Sequence, residues 1–211
     1  QQVGAICIPI YPTISHADYE HIFKHSEASI VFISNKHLYN KVSDIITATP
    51  TIKETYLIKA SEDLKSLQEL IDLGNENKDA ETLEARKAEV KNEDVATILY
   101  TSGTMGTPKG VMLTHRNILS IVEYLCPLYP INETHNALSY LPLSHIYERA
   151  VQYCHIYLGC TTYYVDNIGA IIETMAEVKP QHFTSVPRLI EKVYHTIVRK
   201  GQKLSGFKKT I

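Results

Sequence analysis

Residues Tyr100 to Val111 read YTSGTMGTPKGV, a run of hydroxyl residues and glycines that closes on a lysine. The apolar run Val95-Ala96-Thr97-Ile98-Leu99-Tyr100 precedes it, and a helical pattern begins near His115. Strand, small-residue loop and helix is a layout that wraps a phosphate chain. Glycines let backbone N–H groups approach anionic oxygens, hydroxyls add donors, and a lysine supplies positive charge. A plain surface turn would explain the glycines. It would not explain Thr101, Ser102, Thr104, Thr107 and Lys109 crowding the same span.

Two common phosphate binders are excluded by spacing. A Walker A loop needs G-x-x-x-x-G-K followed by Ser or Thr, but from Gly103 the second glycine falls on Pro108, and Gly110 follows Lys109. The dinucleotide fingerprint G-x-G-x-x-G fails because Thr104-Met105-Gly106 follows Gly103.

Working outward, apolar β-rich runs alternate with helical patterns. Strands are expected at Gly4–Tyr11 (buried), Ser29–Ser34, Glu54–Ile58, Asn136–Leu141, Thr161–Val165 and His182–Val186. A helix opens at Ser15, its N-cap. Others are expected over Lys36–Ala48, Leu64–Leu73, Arg116–Leu125, Ile146–Leu158, Ile168–Val178 and Pro187–Arg199. This alternation specifies an α/β fold with largely parallel sheets covered by helices, whose ligands bind at the C-terminal ends of strands. The glycine loop sits at such an end, as does Pro142-Leu143-Ser144-His145. Residues 61–94 are acidic and poor in aromatics, a charged connector between a first α/β half (1–60) and a second half (95–211) of one partial domain. The ends start and stop abruptly, as if cut from a longer chain.

Bulk properties narrow the function. At 211 residues the chain is long enough for a full core, and a formal net charge of −2 leaves no basic footprint for nucleic acid. Cys7, Cys126, Cys154 and Cys160 form no C-x-x-C pair and read as reduced cysteines of a cytoplasmic protein, mostly packing residues. No apolar run approaches the roughly 20 residues of a membrane span. His21 and His25 have the i, i+4 spacing of some zinc sites, without an evident third ligand. Cys154-His155 resembles a nucleophile pair by adjacency alone, and core packing is expected for Cys154. Tyr163 and Tyr164 read as sheet residues.

The stretch YTSGTMGTPKGVMLTHRN (100–117) closely resembles the phosphate-loop signature of the adenylate-forming superfamily of acyl-CoA synthetases, luciferases and nonribosomal adenylation domains. It departs at Met105, where the family usually has threonine. Three further segments resemble the long-chain acyl-CoA synthetase branch: GAICIPIYPTIS (4–15), LPLSHIYER (141–149) and VPRLIEKVY (186–194). The resemblance implies the N-terminal domain of a ligase that makes an acyl-adenylate from ATP and a long-chain fatty acid and passes the acyl group to CoA. It implies that Ser102, Thr104 and the amides of Gly103 and Gly106 hold phosphate oxygens, with Thr107 in the same cradle and Thr101 facing Mg2+ carried by ATP. Lys109 would supply charge, and amides at the helix terminus near His115 would add to the cradle. His145 would orient the carboxylate or gate the acyl site, unless it only caps the next helix. Tyr147 would line a pocket, with Glu148 and Arg149 as an ion pair or polar support. An aryl- or amino-acid adenylating domain and a non-catalytic nucleotide-binding module stay open. The family's adenine, ribose and C-terminal lysine segments lie outside these residues, so the fragment alone is expected to be inactive. Peripheral membrane contact is expected only through the lipid-like substrate. Residues 102–108 are expected to be among the most mobile without nucleotide.

Overall fold

The computed structural model describes residues 1–101, 106–165 and 167–202, in two compact units, 1–120 and 121–211. The charged stretch 61–94 lies inside the first unit.

In the first unit, α1 (His16–Ser26) starts where expected. Ser15 accepts a hydrogen bond from the Asp18 amide, satisfying one of the helix's orphan donors. The parallel pair β1 (Ile30–Ile33) and β2 (Glu54–Leu57) follows, connected through α2 (Lys36–Thr47). Tyr19, Phe23, Ile33, Val42, Ile45 and Leu57 close a core between these elements. Their spacing explains the packing: Tyr19 and Phe23 lie four apart on α1, and Val42 and Ile45 three apart on α2, one stripe on each helix.

The connector is more ordered than its composition suggests. Helix α3 (Leu67–Glu76) begins three residues later than the expected Leu64, because Ser66 and Glu69 form a reciprocal capping box. A further helix, α4 (Ala80–Glu89), is capped by Asp79.

Two expectations are corrected here. Gly4–Tyr11 is not a buried strand. It is an extended, mostly exposed segment whose one isolated bridge joins Cys7 to Thr97. Cys7 itself is exposed, whereas Cys126 and Cys154 are buried. Secondly, the glycine loop does not run from strand to helix. It joins β3 (Val95–Thr101) to β4 (Lys109–Thr114) in an antiparallel pair, and only then does α5 (His115–Leu125) begin. The amides near His115 are therefore separated from the loop by all of β4.

In the second unit a three-stranded parallel sheet has the order β6 (Thr161–Tyr164), β5 (Asn136–Ser139), β7 (His182–Phe183). Leu138 and Ala137 on the central strand are fully buried, as a strand covered on both faces requires. Helix α6 (Ile146–Leu158) spans the expected residues and ends at Gly159, whose φ of 71° is the left-handed cap conformation that favours glycine. Helices α7 (Ile171–Val178) and α8 (Pro187–Gln202) complete the unit, the latter starting on a proline suited to a first helical turn. Tyr163 and Tyr164 lie exposed on β6. No described helix is long and apolar enough to cross a membrane.

Candidate active site

In the first unit the site is built on the β3–β4 hairpin. Strand β3 is fixed from below: Ala96, Thr97 and Leu99 are buried, and the Thr97 hydroxyl donates to the Cys7 carbonyl at 2.6 Å. Its last residue, Thr101, is the register partner of Lys109, the first residue of β4. A hydroxyl and a cation thus stand opposite each other at the base of the loop. Both are exposed. Gly106 has φ of 90°, a conformation side chains rarely adopt, which accounts for glycine at that motif position. Thr107 is exposed beside it. The site positions Ser102, Gly103 and Thr104, together with Met105, lie outside the described residues, and so does most of the span expected to be mobile.

Gly110 faces a tight contact. A Cβ there would stand 2.9 Å from Ile98 Cγ2 and 3.3 Å from Tyr100 Cζ, so Ile98 first, and the Tyr100 ring beside it, take the space a side chain would need. The motif glycine at 110 therefore serves packing, whereas Gly106 serves backbone conformation.

Two histidines of α1 reach the stems of the loop. His21 Nε2–H donates to the Pro108 carbonyl at 2.9 Å, and His25 Nδ1 is 2.8 Å from the Tyr100 hydroxyl. The described residues contain no group of three or more candidate ligands. Sequence reasoning did not find this contact, since 87 and 75 residues separate the partners.

In the second unit, Pro142 to His145 form a turn closed by the His145 amide on the Pro142 carbonyl at 2.9 Å. His145 is the N-cap of α6, and its Nδ1 accepts from the Tyr147 amide at 3.2 Å. With Nδ1 accepting, the neutral ring carries its hydrogen on Nε2. The cap role thus fills one nitrogen and leaves an N–H on the other. Tyr147 is exposed. Glu148, the next inward position, is only 1% exposed; its two oxygens accept from Ser139 Oγ at 2.5 Å and Thr184 Oγ1 at 2.7 Å. These bonds tie α6 to the ends of β5 and β7, which makes Glu148 polar support. Arg149 lies over the Tyr153 ring, 5.9 Å from its centroid.

Cys154 and His155 part company, as neighbours on a helix do. Cys154 packs with Val122 and Cys126, and burial, reinforced by Cys126, pushes its thiol well above the usual range, which removes thiolate character. His155 is 1% exposed and pairs Nε2 to Nδ1 of His182 at 2.9 Å. Burial, with His182 adding, pushes His155 down to about 4. His182 is also lowered by burial, and Glu148 offsets part of that.

Comparisons with known proteins identify the family. The model of the AMP-binding enzyme family matches residues 1–210. Long chain acyl-CoA synthetase 4 of Arabidopsis thaliana is 32% identical, the match covering 93% of this chain and 31% of that protein. The long-chain-fatty-acid–CoA ligase ACSBG2 of Homo sapiens is 30% identical, covering 98% of this chain and 32% of that protein. The chain spans about a third of the length of these relatives. Among solved structures, a long-chain-fatty-acid–CoA ligase from Archaeoglobus fulgidus superposes with a TM-score of 0.79 at 25% identity, covering 94% of this chain and 38% of that one. With a family model matching 1–210 and relatives similar across nearly all of its residues, this chain belongs to the AMP-binding enzyme family.

Proposed function

We propose that the chain is part of an ATP-dependent long-chain fatty-acid–CoA ligase and contributes its phosphate loop and the His145 turn. The observation that carries this reading is the hairpin register. Thr101 and Lys109 are paired across the base of a glycine-bearing loop, one hydroxyl beside one cation, the donors an anionic phosphate requires. The similarity to long-chain ligases supports the substrate class.

In the reaction proposed, a carboxylate oxygen attacks the α-phosphorus of ATP. A carboxyl oxygen–phosphorus bond forms, and the bond to pyrophosphate breaks. The thiol of CoA then attacks the acyl carbonyl, and AMP leaves. Negative charge grows on the departing pyrophosphate, so a cation already in place stabilises the transition state more than the ground state. Lys109 has that role here, with Ser102, Thr104, Thr107 and the amides of Gly103 and Gly106 holding β- and γ-oxygens. Magnesium arrives with ATP as part of the substrate, with Thr101 facing it. His145 orients the carboxylate through Nε2–H while Nδ1 caps α6. The protein is read as cytoplasmic, touching membranes only to collect its acid.

ATP–pyrophosphate exchange by the full-length protein, with fatty, aryl and amino acids in parallel, tests this reading. Exchange stimulated by long-chain fatty acids is expected. Stimulation only by amino or aryl acids would move the protein to another branch of the family. No exchange with any acid would make it a non-catalytic nucleotide-binding module.

A further inference from the structure

We propose that His21 and His25 are positioning residues that brace both stems of the phosphate loop and thereby set where Thr101 and Lys109 meet the nucleotide. The proposal rests on the nucleotide reading above and adds to it two residues outside the loop motif.

The stems end at the paired residues Thr101 and Lys109, and Tyr100 and Pro108 are their immediate chain neighbours. Each stem is held by one histidine. Pro108 has a carbonyl and no N–H, and that carbonyl accepts from His21 Nε2–H at 2.9 Å. Tyr100 is held through its hydroxyl by His25 Nδ1 at 2.8 Å. Both imidazoles stand edge-on to the Tyr100 ring, at interplanar angles of 86°, with centroids 6.3 Å from it for His21 and 5.8 Å for His25. Their own centroids are 5.2 Å apart, so a single helical turn spans both ends of the loop.

A brace works only if its support is rigid. The opposite face of α1 carries Tyr19, Ile22 and Phe23, all buried. The ring that His25 holds also packs closely against Gly110, where a Cβ would stand 3.3 Å from its Cζ. Moving either stem therefore requires breaking a histidine contact, displacing an aromatic ring, or shifting a helix anchored in the core.

The test uses the full-length protein and steady-state pyrophosphate release. His21→Ala and His25→Ala are each expected to raise KM for ATP by about three- to tenfold, the loss of one hydrogen bond. KM for the fatty acid should stay unchanged. His21→Gln, which replaces the Nε2–H with an amide N–H, should return KM for ATP to within about twofold of wild type. Unchanged KM for ATP in both alanine variants would overturn the brace. Equal loss toward ATP and fatty acid, or no rescue by glutamine, would also overturn it, since a merely structural role predicts those outcomes. A wild-type protein without ATP-dependent turnover would sink the nucleotide reading instead. Amide hydrogen exchange then decides the brace alone: faster exchange in β4 of His21→Ala upholds it, and exchange equal to wild type overturns it.

Discussion

Two histidine pairs, one in each unit, have nearly the same ring spacing and opposite surroundings. His21 and His25 stand 5.2 Å apart, the first partly buried and the second exposed, and each bonds a neutral oxygen of the loop stems. His155 and His182 stand 5.1 Å apart and bond each other, with His155 fully enclosed and Tyr129 edge-on to His182. Burial accounts for the difference. Among the described residues the Nδ1 of His155 has no hydrogen-bond partner. A bare acceptor there costs less than a stranded N–H, so His155 donates through Nε2 and His182 accepts. A proton added to His155 would place an N–H at Nδ1 facing nothing, in a medium that disfavours charge. The same residue type is an adaptable surface contact in one unit and a fixed neutral packing element in the other.

Acid is the most forceful way to break this contrast. His155 is held near 4 in the folded state, against about 6.5 for a free imidazole. Between those values the unfolded chain binds the proton and the folded chain does not, so stability rises with pH across that window. It is fully present above about 6.5 and is lost as pH falls toward 4, a loss of up to about 3 kcal/mol. His182 shifts in the same direction, with Glu148 opposing it. Urea unfolding at pH 7 and pH 5 measures this. A His155→Phe variant, which keeps the bulk and cannot titrate, should show a flatter dependence. Equal slopes would mean that His155 is charged in the folded protein.

Lys109→Ala in the full-length protein should cost on the order of 1.5–3 kcal/mol of transition-state stabilisation, a drop of roughly 10- to 150-fold in kcat/KM for ATP. Unfolding stability should hardly change, because Lys109 is exposed. Unaltered adenylation kinetics would remove Lys109 from the site.

Returning to the buried side, Thr184→Val keeps shape while removing the donor to Glu148 Oε2. One orphaned lone pair on a buried carboxyl should cost about 1.5 kcal/mol in urea unfolding. No change would show that water reaches Glu148 despite its burial.

The parts of the molecule that sequence reasoning reached are those whose causes are local. Ser15 and Ile146–Leu158 were legible because a cap and a 3.6-residue stripe are written within one segment. The three-residue error at α3 was avoidable: Ser66 and Glu69 have capping-box spacing. Strand β4 was hidden for another reason. Its partner, β3, lies across the loop, and Gly110 interrupts the apolar run, so nothing in KGVMLT by itself announces a strand. Gly4–Tyr11 failed in the opposite sense. Apolar composition suggested burial, but hydropathy does not reveal how many neighbours will pair with a segment. At the site, the loop motif was legible and its support was not, because the brace joins residues 75 and 87 positions apart.

The smallest effect expected is also the one that best separates the two pairs. His21→Ala should lower unfolding stability by about 1 kcal/mol or less, the net worth of one hydrogen bond between partly solvated groups. His155→Ala should cost more, because it removes a fully buried ring and leaves a cavity beside His182. If the α1 pair instead proved the more costly to unfold, the hairpin would depend on α1 for its existence and not merely for its position. The loop would then be a late addition to a helix-led fold, and KM for ATP would fail to separate positioning from folding. A small unfolding cost with a selective change in KM for ATP leaves one explanation: the histidines hold a loop that the β3–β4 register forms without them.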